Sequence, residues 1–267
     1  MEINGETAGD LGTTGLRFLR EGSLAWCIID RPEARNAFTQ AMYFGIKRAV
    51  KRVNRDPSLS ALIITGSGDV FSSGGDLGRR TNPGDADLTD LEGDILPFLT
   101  IRDSRAPVVS AVNGLCQGGG LLVAMVSDIA VASDRAVFRA PELLRGIIDA
   151  TYATILPAHV GIAVARDILL SARRFDAEEA VRLGVITRMV PHDQLRDAAV
   201  KAVREILRTG PIARTNVKRM LNDRYGLVDY MTMRASMDES PEPAEGMRAF
   251  MEKRAPNWVP KEFADGD

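Results

Sequence analysis

Two rhythms of apolar residues alternate along the first half of the chain. Leu16 to Asp30 (LRFLREGSLAWCIID) is rich in strand formers and broken once, at Glu21-Gly22-Ser23, the pattern of a β-hairpin that Arg31-Pro32 closes. Met42, Ile46, Ala49, Val50 and Val53 then recur at helical spacing, which predicts a helix capped by Thr39 and ended at Asp56-Pro57. Ala61 to Gly66 and Pro107 to Val112 are continuous apolar runs that read as buried strands, the second with its proline at the first position. Asn113-Gly114 turns the chain, Gly118-Gly119-Gly120 opens a helix running to about Val126, and DIAVAS and AVFRA are further short strands. From about residue 150 the helical rhythm takes over, with helices near 151–158, 161–171, 176–183, 193–208, 211–225 and 241–253, interrupted by a strand over Val185 to Val190. Pro211 suits a first helical turn. Repeated strand–crossover–strand units imply parallel strands joined right-handedly, and hence an α/β fold.

The stretch from Gly78 to Asp94 fits neither rhythm. Asp85, Asp87, Asp90, Glu92 and Asp94 crowd around Pro83-Gly84, as in a solvated loop or a flap over a site. The 267 residues allow one large α/β domain, or a core with a smaller appendage. A net charge of −2 leaves no basic field for a nucleic-acid backbone, so none is expected as a partner. Two cysteines, Cys27 and Cys116, cannot build a disulfide framework, and a reducing, cytoplasmic setting fits. The first ten residues have no basic start and no apolar run, and residues 1–13 are expected to be a disordered tail. Leu121 to Ala132, the most apolar stretch, is interrupted by Ser127 and Asp128, so no membrane span is expected.

Several chemistries lack their motifs. His159 and His192 are the only histidines, and neither belongs to an H-E-x-x-H pattern. There is no G-x-S-x-G elbow and no phosphate-binding loop, and GLCQGGGL does not match G-x-G-x-x-G. No metal or nicotinamide cofactor is therefore expected. Two glycine-rich turns remain, FSSGGDL (Phe71 to Leu77) and NGLCQGGGLL (Asn113 to Leu122), each following a buried strand. Each is either a tight strand-to-helix turn or a place where a bare backbone N–H reaches a ligand. Two such N–H groups converging on one oxygen would make an oxyanion hole, and a helix N-terminus favours the developing anion.

The ordered set RPEARNAF, FSSGGDL, RAPVVSAVNGLCQGGGLLVAMVSDI, FRAPELLRGI and EGMRAFMEKRAPNW resembles the crotonase (enoyl-CoA hydratase/isomerase) family over roughly residues 14 to 258. The resemblance implies a spiral of β-β-α units over residues 14–200 and a helical trimerisation region over 201–267. It implies a homotrimer or dimer of trimers acting on a coenzyme A thioester. It puts the oxyanion-hole N–H groups on Gly75 and Gly119, with Ser73, Asp76, Leu77 and Leu122 beside the substrate and Phe250 and Lys253 helping to close the coenzyme A site.

Hydratases of this family use two glutamates. The second is present as Glu142, but Leu122 stands where the first belongs. Leucine neither takes a proton nor orients water, whereas one carboxylate can move a proton from C2 to C4. The GGLLVAM stretch is similar to monofunctional 3-enoyl-CoA to 2-enoyl-CoA isomerases, so isomerisation is the favoured expectation, with hydration through Glu142 and Asp149 as the alternative. A catalytically silent acyl-CoA-binding protein is the alternative from another class. Taken alone, Glu142 could equally be an exposed first-turn residue. Asp149 either serves as a second acid–base group or caps the helix that follows it.

Overall fold

The computed structural model describes residues 3–78, 82, 84–88, 95–225 and 241–259. In chain order its elements begin with β1 (Glu6–Thr7), β2 (Leu16–Glu21), β3 (Leu24–Ile29), α1 (Gln40–Arg55), β4 (Ala61–Gly66) and β5 (Val70–Ser72). Then come α2 (Phe98–Arg102), β6 (Val108–Val112), β7 (Leu115–Gln117), α3 (Gly119–Val126), β8 (Ile129–Ser133) and β9 (Val137–Arg139). The remainder comprises α4 (Ala150–Val160), α5 (Ile162–Ser171), β10 (Phe175–Asp176), α6 (Ala177–Leu183), β11 (Arg188–Val190), α7 (Leu195–Leu207), α8 (Pro211–Arg224) and α9 (Glu242–Glu252).

A seven-stranded sheet runs in the order β1-β2-β3-β4-β6-β8-β11. Its β1–β2 and β2–β3 pairs are antiparallel, and the rest are parallel. The continuous apolar runs of β3, β4 and β6 are explained by burial on both faces. Cys27, Ile29, Leu62, Ile64, Val108 and Val112 join the larger core with α1 and α3. Their neighbours in sequence, Trp26, Ile28, Ile63 and Val109, face the other way onto Leu195, Ala199, Ala202 and Val203 of α7. Thr39 caps α1 as the sequence predicts, accepting from the Met42 amide at 3.2 Å.

A second sheet, which the sequence does not predict as a unit, has the order β10-β9-β7-β5. Strands β5, β7 and β9 are parallel neighbours. Their C-terminal ends therefore lie along one edge, and the segments leaving them, Ser73-Gly74-Gly75, Gly118-Gly119 and Ala140-Pro141-Glu142, depart side by side.

The expectation of a disordered tail over residues 1–13 is corrected for the part described. Glu6 and Thr7 pair with Arg20 and Leu19, and Leu11 is buried in the core. The apolar Leu11 and the free edge of β2 are what hold this polar stretch in place. The strand read over Val185 to Val190 is shorter, Arg188–Val190, because the amides of Val185 and Ile186 are taken by the Ala180 carbonyl in the last turn of α6. Of the acidic segment, residues 79–81, 83 and 89–94 lie outside the described residues, and so does residue 225's continuation through 240. Asp85 itself accepts from the Thr13 hydroxyl at 2.5 Å and the Asn82 amide at 2.8 Å.

Candidate active site

The two glycine turns meet backbone to backbone. A Cβ on Gly74 would lie 3.3 Å from the Gly118 Cα and 3.5 Å from the Gly119 nitrogen. Gly74 and Gly118 have φ of 95° and 57°, conformations that side chains rarely tolerate. The first turn is fixed by a one-residue bridge. The Phe38 amide donates to the Gly74 carbonyl and the Asp76 amide to the Phe38 carbonyl, both at 2.8 Å, so the Gly75 N–H between them points away. The Gly119 amide is the first of α3, where no helical acceptor exists. Among the described residues neither amide has an acceptor. Gly120 is needed for packing: a Cβ there would come within 2.8 Å of the Ser72 Cβ.

Glu142 follows β9 and opens a short 3-10 turn, Glu142–Arg145. Its Oε1 sits 2.9 Å from where a Gly118 Cβ would be, and its Oε2 is buried without a partner. Burial, reinforced by the charge of Asp149, pushes the Glu142 carboxyl up to about 8, against a weaker pull from Arg145. Asp149 caps α4, its Oδ1 accepting from the amides of Thr151 at 2.8 Å and Tyr152 at 3.2 Å. Burial raises its carboxyl while those donors pull it down. Of the two roles open in the sequence, the cap is thus occupied, and Asp149 is also an electrostatic neighbour of Glu142. The exposed first-turn reading of Glu142 does not hold.

The other expected residues divide. Leu122 is fully buried in the larger core. The Ser73 amide donates to the Arg35 carbonyl, and its carbonyl accepts from the Gln117 side chain. Asp76 is committed elsewhere, with Oδ2 at 2.6 Å from Arg31 Nη1 and Oδ1 accepting from the Gly78 amide. Leu77 is half-buried. Phe250, half-exposed on α9, lies under the Arg145 guanidinium at 4.8 Å, which ties α9 to the Glu142 turn. Lys253 is exposed and ends α9 in a left-handed conformation.

Sequence reasoning missed two tyrosines. The Tyr152 hydroxyl donates to the Gly118 carbonyl at 2.7 Å, bracing the turn that aims the Gly119 amide. The Tyr43 hydroxyl would be 2.0 Å from a Cβ on Gly119 and 3.5 Å from one on Gly75. Tyr43 borders the apolar stripe of α1, and a stripe-edge aromatic carries no signal that separates packing from chemistry.

Two free amides and a coupled carboxyl pair, set at one strand edge of this mixed α/β architecture, define an enzyme of the crotonase type. The family model described as enoyl-CoA hydratase/isomerase matches residues 20–261, and the chain belongs to that family. A carnitinyl-CoA dehydratase of Salmonella arizonae is 33% identical over 256 residues, 91% of this chain and 97% of its own. The crystal structure of an enoyl-CoA hydratase/isomerase from Pseudoalteromonas atlantica superposes with a TM-score of 0.77 at 30% identity, covering 92% of this chain and 100% of that one. A carnitinyl-CoA dehydratase from Mycobacterium avium gives 0.75 at 31% identity, covering 91% and 98%. Among the described residues no helix is long and apolar enough to cross a membrane.

Proposed function

We propose that this chain catalyses reversible elimination of water from a 3-hydroxyacyl-CoA thioester, in place of the isomerisation that Leu122 suggested. The observation that carries the reading is the pair Glu142 and Asp149, two half-buried carboxyls coupled in one site, with the proton held near neutrality on Glu142. The name dehydratase on similar full-length proteins supports it. Asp149, whose carboxyl burial raises against the pull of two amide donors, takes the C2 proton in its ionised form. The C2–H electron pair moves into the thioester as an enolate, whose oxygen the Gly75 and Gly119 amides receive. As the C2–C3 double bond forms, the C3–O bond breaks and Glu142 gives its proton to the departing hydroxyl, releasing water. Proton return from Asp149 to Glu142 restores the pair. These steps use no metal and no nicotinamide.

A second reading, isomerisation by Glu142 alone, is favoured by the fully buried Leu122 at the place of a missing glutamate. Asp149→Asn separates the two. Asparagine preserves the helix cap, so the fold should survive while hydration of a 2-enoyl-CoA falls by about a hundredfold or more. The assay follows 2-enoyl-, 3-hydroxyacyl- and 3-enoyl-CoA thioesters of several lengths by product mass and ultraviolet absorbance. A variant that hydrates at the wild-type rate sinks the two-carboxylate mechanism. Conversion of 3-enoyl-CoA alone by the wild type establishes the second reading.

The assembly proposed is a homotrimer or a dimer of trimers. Helix α8 buries none of its residues and leaves Ile212, Val217, Met220 and Leu221 exposed. A groove of about 910 Å³ beside it is lined by Met125, Ile155, Val217 and Leu221. Contiguous apolar surface of this kind is what a subunit contact would cover. Light scattering at micromolar concentration should give a trimeric or hexameric mass, and a monomer would overturn the assignment.

A further inference from the structure

The ring of Tyr43 is held on two sides, with its centroid 4.8 Å from that of Phe38 and 6.0 Å, edge-on, from that of Phe98. Phe38 is the residue whose backbone bridges Gly75, so the ring is anchored to the same strand edge as the glycine turns. That clamp aims the hydroxyl at the space between Gly75 and Gly119, and only glycine at 119 admits it. Among the described residues Tyr43 Oη has no hydrogen-bond partner, whereas the Tyr152 hydroxyl of the same cluster is fully engaged by Gly118. An O–H without a partner thus lies beside the two glycines whose N–H groups are also without one.

We propose that the Tyr43 hydroxyl is a third donor to the thioester oxygen, beside the Gly75 and Gly119 amides, and so a catalytic residue of the enolate-forming step. The proposal rests on the thioester reading above but not on the choice between dehydration and isomerisation, since both pass through the same enolate. The phenol stays protonated, because burial and the carboxyls of Glu142 and Asp149 raise it further above its ordinary range. A neutral phenol donates to the oxygen without adding a charge that would bind the ground state equally well. The gain is thus larger in the transition state.

The probe is a conjugated dienoyl-CoA, whose absorbance moves to longer wavelength as its carbonyl is polarised. Bound to the wild type, its band should shift red. Tyr43→Phe should lose a clear part of that shift and about tenfold to a hundredfold in kcat, while KM stays within about threefold. Replacing Tyr43 by 3-fluorotyrosine, a stronger donor of nearly unchanged shape, should enlarge the shift and guards against a folding defect in the phenylalanine variant. An unchanged shift and kcat in Tyr43→Phe, or no response to fluorination, would overturn the third donor while leaving the thioester site standing. No red shift in the wild type would instead remove the thioester reading itself.

Discussion

Glu142→Gln is expected to lower turnover by about a thousandfold while acyl-CoA affinity stays near that of the wild type, because the amide keeps the shape but cannot exchange a proton at neutral pH. Single-turnover measurements with a 3-hydroxyacyl-CoA and equilibrium binding of the same thioester separate the two quantities. The same variant tests the protonation state. With the folded carboxyl raised from 4.5 to about 8, the native protein binds more protons than the unfolded chain between those values. Wild-type stability therefore falls as pH rises through that window and levels off above it. Glutamine carries no such dependence, so the melting temperature of Glu142→Gln minus that of the wild type should climb from pH 5 to about 8.5. The proton-donating form is lost over the same upper range, so wild-type kcat/KM for dehydration should decline above about pH 8. A near wild-type rate in Glu142→Gln would transfer the chemistry to Asp149. A flat difference in melting temperature would show that Glu142 is ionised at neutral pH.

The second large effect is expected at Asn36, which touches no proposed substrate atom. Its Oδ1 accepts from the Arg31 amide at 2.9 Å, and its Nδ2 donates to the carbonyls of Ser67 at 3.0 Å and Val70 at 2.6 Å. It is fully buried with a φ of 56°, a left-handed conformation that asparagine accepts more readily than most residues. One side chain therefore joins the end of the hairpin to the loop entering β5, just upstream of the bridge between Phe38 and Gly75. Asn36→Ala leaves buried backbone groups unpaired at about 1–3 kcal/mol each and adds left-handed strain. A loss of about 3–5 kcal/mol is expected, a fall of roughly 10 °C in melting temperature for a chain of this size. Asn36→Gly should recover only the backbone part, about 1 kcal/mol. Urea unfolding of the three proteins measures this, and a loss below about 1 kcal/mol in Asn36→Ala would show that the network does not hold the turn.

Asn36 also marks the boundary between what could be read and what could not. RPEARNAF was legible as part of a family pattern, yet nothing in its letters says that Asn36 reaches across to residues 67 and 70. The inner strands β3, β4 and β6 of the large sheet were legible because burial on both faces writes an unbroken apolar run, and α1 because its stripe and Thr39 cap are local. The second sheet was not. Strand β9 showed as AVFRA, but β5 and β7 are three residues each, too short for periodicity to register, so nothing in the letters joined the three into a sheet.

By itself, the sequence determined the α/β class and the two glycine turns, since each depends on residue type within a few positions, while Glu142 and the leucine at 122 stood out only through the family resemblance. Only the tertiary structure decided that three short parallel strands end at one edge and bring residues 75, 119 and 142 together. The same is true of the cap formed by Asp149, the burial that leaves a proton on Glu142, and the Tyr43 hydroxyl between the glycines. These are properties of distance and desolvation between segments far apart in the chain, and the energy of a charge or a donor is set by what surrounds it in space.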